Sequence, residues 1–184
     1  MNWITADLDD FAFLELPARP TPVISSIFDW QRNPAFPFTN GGFESSLSGW
    51  SNAGDNSMSS AASSAARTGT LGLRVTDTSA TAGSSLKSAT FPVAEGYNYQ
   101  VNFSARLISG AGIGIYLYFK DANNADLPTV YHFGVPGNAT SWTSFSFQGR
   151  APAGAVAAYI WIHSYSASIV TAELDDFAFR AVWD

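Results

Sequence analysis

From residue 40 onward this chain alternates. Leu71, Leu73 and Val75 face one way while Gly72, Arg74 and Thr76 face the other. Tyr99, Val101, Phe103, Ala105 and Leu107 oppose Gln100, Asn102, Ser104 and Arg106. Ile113, Ile115, Leu117 and Phe119 oppose Gly114, Tyr116, Tyr118 and Lys120. Residues 142–147 and 158–165 continue the pattern. A period of two is the signature of a strand with one buried face, and about ten such runs are separated by Gly, Pro, Asn and Ser turns. No amphipathic helical stripe competes with it. Residues 57–66 hold helical-looking alanines, but their serines and missing apolar stripe predict a weak strand or loop. The expectation is an all-β chain, an antiparallel β-sandwich of jelly-roll type.

A duplication sets the organisation. TADLDDFAF at residues 5–13 returns as TAELDDFAF at residues 171–179, eight of nine positions identical and about one domain length apart. The second copy reads as the closing strand of a complete module. The first reads as the closing strand of a preceding homologous module, so the expected parent is a larger, multimodular polypeptide with tandem repeats. Residues 1–16 are then a remnant and residues 17–39, with Pro17, Pro20, Pro22, Pro34 and Pro37, an extended linker whose aromatics pack in part on the module. Residues 40–184 form the module itself. The orphan strand has an apolar side, Leu8, Phe11 and Phe13, which predicts a strand-mediated dimer through residues 3–14.

Composition narrows the function. Charged residues are only 13% of the chain against 46% apolar, so the surface is rich in hydroxyl, amide and aromatic groups. That suits a secreted or cell-surface module meeting neutral, polyhydroxylated material. A net charge of −6 argues against nucleic acid and anionic membranes as partners. With no cysteine there is neither a disulfide framework nor a thiolate zinc site. No signal peptide and no apolar run of spanning length occurs, which for an excised piece says nothing about export.

Five short motifs in order carry a family resemblance: NGGFESSLSGW at residues 40–50, RTGTLGLRVT at 67–76, VAEGYNYQV at 93–101, Trp142–Phe147 ahead of APAG at 151–154, and the terminal LDDFAF. Together they resemble the carbohydrate-binding modules, with a galactose-binding-like jelly roll, appended to xylanases, glucanases and other polysaccharide-degrading enzymes. The resemblance covers roughly residues 40–179 and is more specific for fold than for ligand. It implies a structural calcium ion where the first and last strands meet, held by the carbonyl of Gly42, the carboxylate of Glu44, a carbonyl near Thr70, and Asp175. Calcium takes six to eight oxygens, mixing carboxylates with carbonyls, and would clip the chain ends together without a disulfide. Adjacent strand residues point oppositely, so at most one of Asp175 and Asp176 ligates. The alternative is that both acids cap loop amides.

The polar sides of the strands suggest the ligand. They gather Arg74, Gln100, Asn102, Arg106, Tyr116, Tyr118 and Lys120, and the run from Tyr159 adds Trp161, His163 and Tyr165. Aromatic rings take the apolar face of a sugar while amides and guanidinium groups take its hydroxyls. Read as one face, these residues form a glycan-binding surface, with Tyr116, Tyr118 and Trp161 as its principal platforms. Arg74, Arg106, Lys120 and His163 on that face point to an acidic glycan. The competing reading has the rings covering a second core layer or packing under the linker.

A non-catalytic module is the expected class. Tyr118-Phe119-Lys120 resembles the YFK of jelly-roll alginate lyases, but the other lyase motifs are missing. A glycosidase needs two carboxylates flanking its cleft, which these strands do not offer. His132 and His163 are too isolated for a metal centre, and no nucleophile elbow occurs. A structural or adhesive surface repeat without sugar binding remains the third class.

Overall fold

The computed structural model describes residues 38–53 and 58–182. The expected remnant strand, nearly all of the linker and the dimer contact through residues 3–14 lie outside these residues. Phe38, on the linker side of the expected boundary, stands edge-on to Trp50 and Phe91 at 5.8 and 5.5 Å.

Among the described residues eleven strands and one 3-10 turn follow one another: β1 (Trp50–Asn52), β2 (Ser59–Ala62), the turn Ser63–Ala65, β3 (Gly72–Asp77), β4 (Ser85–Ser88), β5 (Phe91–Pro92), β6 (Asn98–Gly110), β7 (Ile113–Lys120), β8 (Asp126–Gly134), β9 (Thr143–Arg150), β10 (Ala157–Ser164) and β11 (Val170–Val182). They build two antiparallel sheets. The first runs β1-β4-β10-β7-β8 with β5 beside β10, and the second runs β2-β3-β11-β6-β9. This is the expected β-sandwich, and the segment read as a weak strand or loop becomes β2 and the 3-10 turn.

Alternation explains the core. Leu73 and Val75 of β3, Val101, Phe103, Ala105 and Leu107 of β6, Ile113, Ile115, Leu117 and Phe119 of β7, Ile160 and Ile162 of β10, and Leu174 of β11 are all buried between the sheets. Their partners in sequence necessarily point outward. The closing copy of the duplicated motif lies in β11, between β3 and β6. A bulge between Asp175 and Ala178 there offsets the register and turns Phe177 inward, where it stacks on Phe103 at 5.3 Å and an angle of 12°. Asp176 takes a positive φ of 56° at that bulge, a conformation Asp tolerates better than most residues.

Candidate functional site

Period two tells in from out but not which sheet a residue belongs to, and the expected single face is divided between both. Tyr116, Tyr118 and Lys120 of β7 lie in register with Trp161, Tyr159 and Ala157 of β10, so they share the outward side of the first sheet. Arg74, Gln100, Asn102 and Arg106 are on β3 and β6 of the second sheet. The grouping of all four with the aromatic residues is therefore corrected: they face away on the opposite side of the sandwich.

The aromatic side has a defined order. Trp161 packs against Tyr116 at 5.3 Å and Tyr118 at 5.7 Å, and Tyr116 is 6.4 Å from Tyr118. Each of these three rings is half-buried. Trp161 is fixed from behind, its indole N–H donating to Ser85 Oγ on β4. Tyr159 behaves differently. Its ring stacks on Tyr118 at 5.1 Å and 7°, it is only 3% exposed, and its hydroxyl donates to Asp126 Oδ2 at 3.2 Å. Tyr159 supports the platform rather than forming it, which corrects its expected place among the ligand-facing rings.

At the other end stand His163, Tyr165 and His132. His163 packs on Trp161 at 4.6 Å, His132 on Tyr116 at 4.5 Å, and His132 Nε2 lies 2.8 Å from the Tyr165 hydroxyl. Gly114 makes room for them: a Cβ there would lie 2.8 Å from Tyr116 Cε2 and 3.0 Å from His132 Nε2. In the sequence His132 reads only as a histidine too isolated for a metal centre; its β8 register opposite Tyr116 brings it to this face. Lys87 of β4, opposite Trp161, was missed, because β4 is too short to announce itself by alternation. Its ammonium sits 5.3 Å from the ring centres of both Tyr159 and Trp161.

Burial raises the phenols of Tyr116, Tyr118, Tyr159 and Tyr165 above the ordinary tyrosine value. They are neutral hydroxyls at physiological pH, able to donate as well as accept.

The opposite face has a different chemistry. Glu173, fully buried, takes Arg74 through its Nη2 and Nε, and Arg106 Nε at 2.6 Å. Arg106 also lies 4.9 Å from the centre of the Trp142 ring. Gln100 accepts from Arg180 Nε at 2.6 Å and donates to Ser146 at 3.1 Å. A groove of about 310 Å³ there is lined by Asn102, Ser104, Ser144 and Ser146, with Arg67 and Asp176 at its rim.

The expected calcium ligands do come together. Asp175 Oδ2 accepts the amides of Arg67 and Thr68 at 2.7 and 3.1 Å, and Oδ1 accepts that of Asp176 at 2.7 Å. Glu44 accepts the Thr70 amide and hydroxyl and the Leu71 amide. Gly42 lies between them: a Cβ on it would be 3.7 Å from Asp175 Oδ1 and 3.9 Å from Glu44 Cγ. Gly69, with φ of 63°, passes so close to Glu44 that any side chain would collide with its carboxylate. Burial holds the Asp175 carboxyl above its usual range, and the Thr70 hydroxyl and amide hold Glu44 below it. Two carboxylates on either side of Gly42 are donors of the kind a hard cation takes, although here their oxygens accept backbone amides and the Thr70 hydroxyl. No group of three or more His, Cys, Asp or Glu suited to a metal occurs among the described residues. Asp176 goes instead to Arg67 Nη1 and the Thr68 hydroxyl, so one acid of the pair faces the corner and the other leaves it.

The comparisons with known proteins agree with this architecture. A sequence model described as a carbohydrate binding domain matches residues 38–168. No curated protein sequence matches the chain. Among solved structures, the chain is similar to a family 16 carbohydrate binding module-2, at 19% identity and a TM-score of 0.59, over 78% of this chain and 98% of that one. It is similar to TmCBM61, solved in complex with β-1,4-galactotriose, at 17% identity and a TM-score of 0.53, over 78% and 97%. It also matches the enzymatically active domain of tailspike protein 4 of bacteriophage CBA120, at 14% identity and a TM-score of 0.66, where it spans 78% of itself but only 21% of that chain. Identities this low speak for the fold alone.

Proposed function

The chain belongs to the carbohydrate binding domain family, and from that premise we propose that it is the non-catalytic binding module of a secreted, multimodular polysaccharide-active protein. A glycan chain lies along the outward side of the first sheet, across Tyr116, Trp161 and Tyr118. The single observation that carries this is the contiguous set of three half-buried rings, with Trp161 anchored to Ser85 from behind. Rings that are partly open and fixed can stack on sugar without first being ordered, which keeps the entropic cost of binding low. His132, His163 and Tyr165 supply hydroxyl-matching donors and acceptors at one end.

An acidic glycan stays within this proposal, on a narrower base. Arg74 and Arg106 are both held by Glu173 on the far side, so among the described residues the Lys and Arg side chains beside the rings are Lys87 and Lys120.

A lyase is disfavoured by the same division. Its base would come from Tyr116, Tyr165 or His132, while the Arg, Gln and Asn needed to neutralise a uronate lie on the other sheet. The strands of the aromatic sheet carry one carboxylate among the described residues, Asp126, where a glycosidase needs two.

A structural calcium ion at the Gly42, Glu44, Thr70 and Asp175 corner belongs to the proposal as well. When bound it would neutralise a buried carboxylate and tie the first turn to β11. Chelation with EDTA is expected to lower the melting temperature by several degrees without abolishing sugar binding; an unchanged melting temperature would remove the ion from the account.

A screen against immobilised neutral and anionic polysaccharides tests the main reading. Retention that Trp161→Ala abolishes is expected. No retention on any polymer would favour a spacer, and shortening of the polymer would favour a lyase.

A further inference from the structure

The strands of the aromatic sheet carry two Lys or Arg residues among the described residues, and both stand against the Tyr159 ring. Lys87 Nζ and Lys120 Nζ lie 5.3 and 5.4 Å from the centre of the Tyr159 ring. Around them is a hollow of about 170 Å³ lined by Ser51, Lys87, Ser88, Thr90, Lys120, Asp126 and Tyr159. Lys120 is partly committed, donating to Asp126 Oδ1 at 2.9 Å and to the Asn124 carbonyl at 2.8 Å. Asp126 also accepts the Tyr159 hydroxyl. Lys87 makes no ion pair with a described residue. Two ammonium groups against one carboxylate leave a surplus of one positive charge in a protein of net charge −6.

Charge this local has a consequence for the ligand. A polyuronate carries an anion on every sugar and would need cations along the whole platform, but Lys87 and Lys120 both gather at Tyr159, with Lys87 reaching only as far as Trp161 and neither lying against Tyr116 or Tyr118. We propose that the hollow is a subsite for a single carboxylate, carried as a uronic acid substituent on a glycan whose backbone is otherwise neutral. The inference rests on the glycan-binding reading above and goes further by naming the class of polymer. The neutral backbone stacks on the rings, and the substituent reaches past Tyr118 toward Lys87. Tyr159, clamped between Tyr118 and the two ammonium groups, holds both lysine stems in place. Ser51 and Thr90 add hydroxyl donors at the rim. Charge-assisted hydrogen bonds of this kind are stronger than neutral ones, though partial exposure and salt weaken them.

The test compares matched polymers on the whole protein. Native glucuronic-acid-bearing xylan and arabinogalactan, their carboxyl-reduced forms, and polygalacturonate are titrated against the wild type, Lys87→Gln, Lys87→Arg and Trp161→Ala. The native form of at least one polymer is expected to bind about tenfold tighter than its reduced form, roughly 1.4 kcal/mol. That preference disappears in Lys87→Gln, survives in Lys87→Arg and collapses at 0.5 M salt, while polygalacturonate binds less well than the decorated polymer. Trp161→Ala weakens all forms together. Equal affinity for native and reduced forms, or a preference for polygalacturonate, would overturn the subsite and leave the platform standing. If the wild type retains no polymer at all, the platform reading fails first and the subsite falls with it.

Discussion

The two outward faces of the sandwich both carry cations, and do opposite things with them. On and beside the second sheet most of the outward charges have a partner within the fold: Arg74 and Arg106 on Glu173, Arg67 on Asp176, Arg180 on Gln100. On the first sheet half-buried rings lie side by side, and Lys87 points over them without an ion pair among the described residues. A guanidinium group opposite a carboxylate in the next strand is structure. A ring beside another ring, with open area left over, is a surface awaiting a ligand. What separates the two is which residues the strand pairing brings side by side: rings on β7 and β10 of the first sheet, guanidinium groups and a carboxylate on β3, β6 and β11 of the second.

The contrast is broken most forcefully at Glu173. Its removal leaves Arg74 and Arg106 facing each other without a counter-ion. Both are about one-third exposed (34% and 31%) and can turn to water, so the cost falls below that of a fully buried pair. Glu173→Ala is expected to lower unfolding stability by about 2–3 kcal/mol in a denaturant titration while glycan affinity holds. A loss of affinity with stability intact would mean that the second sheet is the binding face.

A smaller effect sharpens the aromatic side. Tyr116, Tyr118, Tyr159 and Tyr165 have phenols raised by burial in the fold, so the folded chain holds those protons longer than the unfolded one. Their contribution is complete below pH about 10 and is lost as pH rises through the higher folded values. Phenolate absorbance of the native protein should therefore lag behind that of the urea-unfolded chain above pH 10, and stability should fall over the same range. Coincident titration curves would show the rings to be solvated rather than packed.

The smallest expected effect is at the hydroxyl groove. Ser144→Ala removes one side of a 3.2 Å contact with Ser104 on a largely exposed strand, and a change within about 0.5 kcal/mol is expected in stability, with none in binding. A binding defect there would make the groove a second ligand site.

Much of this was legible in the sequence because alternation is a local property. Leu73, Phe103, Leu117 and Ile162 declare their burial by their neighbours, and the ordered motifs point to the family. The acids Glu44 and Asp175, 131 residues apart in the chain (175 − 44), lie on either side of Gly42. The division of faces was not legible. Arg106 and Lys120 both read as outward, and nothing local tells that β6 pairs with β11 and β9 while β7 pairs with β10 and β8. Glu173 hid its role for the same reason, since its partners are 67 and 99 residues away. Lys87 escaped because a four-residue strand has too few positions to show a period.

The most direct measurement sets one face against the other in a single assay. Affinity for a retained polysaccharide is determined by isothermal titration for the wild type, Trp161→Ala, and the double variant Gln100→Ala/Asn102→Ala, with folding checked by melting temperature. Loss of a stacking ring is expected to weaken binding by at least tenfold, about 1.4 kcal/mol or more, while the double variant binds like the wild type. Full affinity in Trp161→Ala together with loss in the double variant would contradict the account and move the site to the opposite sheet.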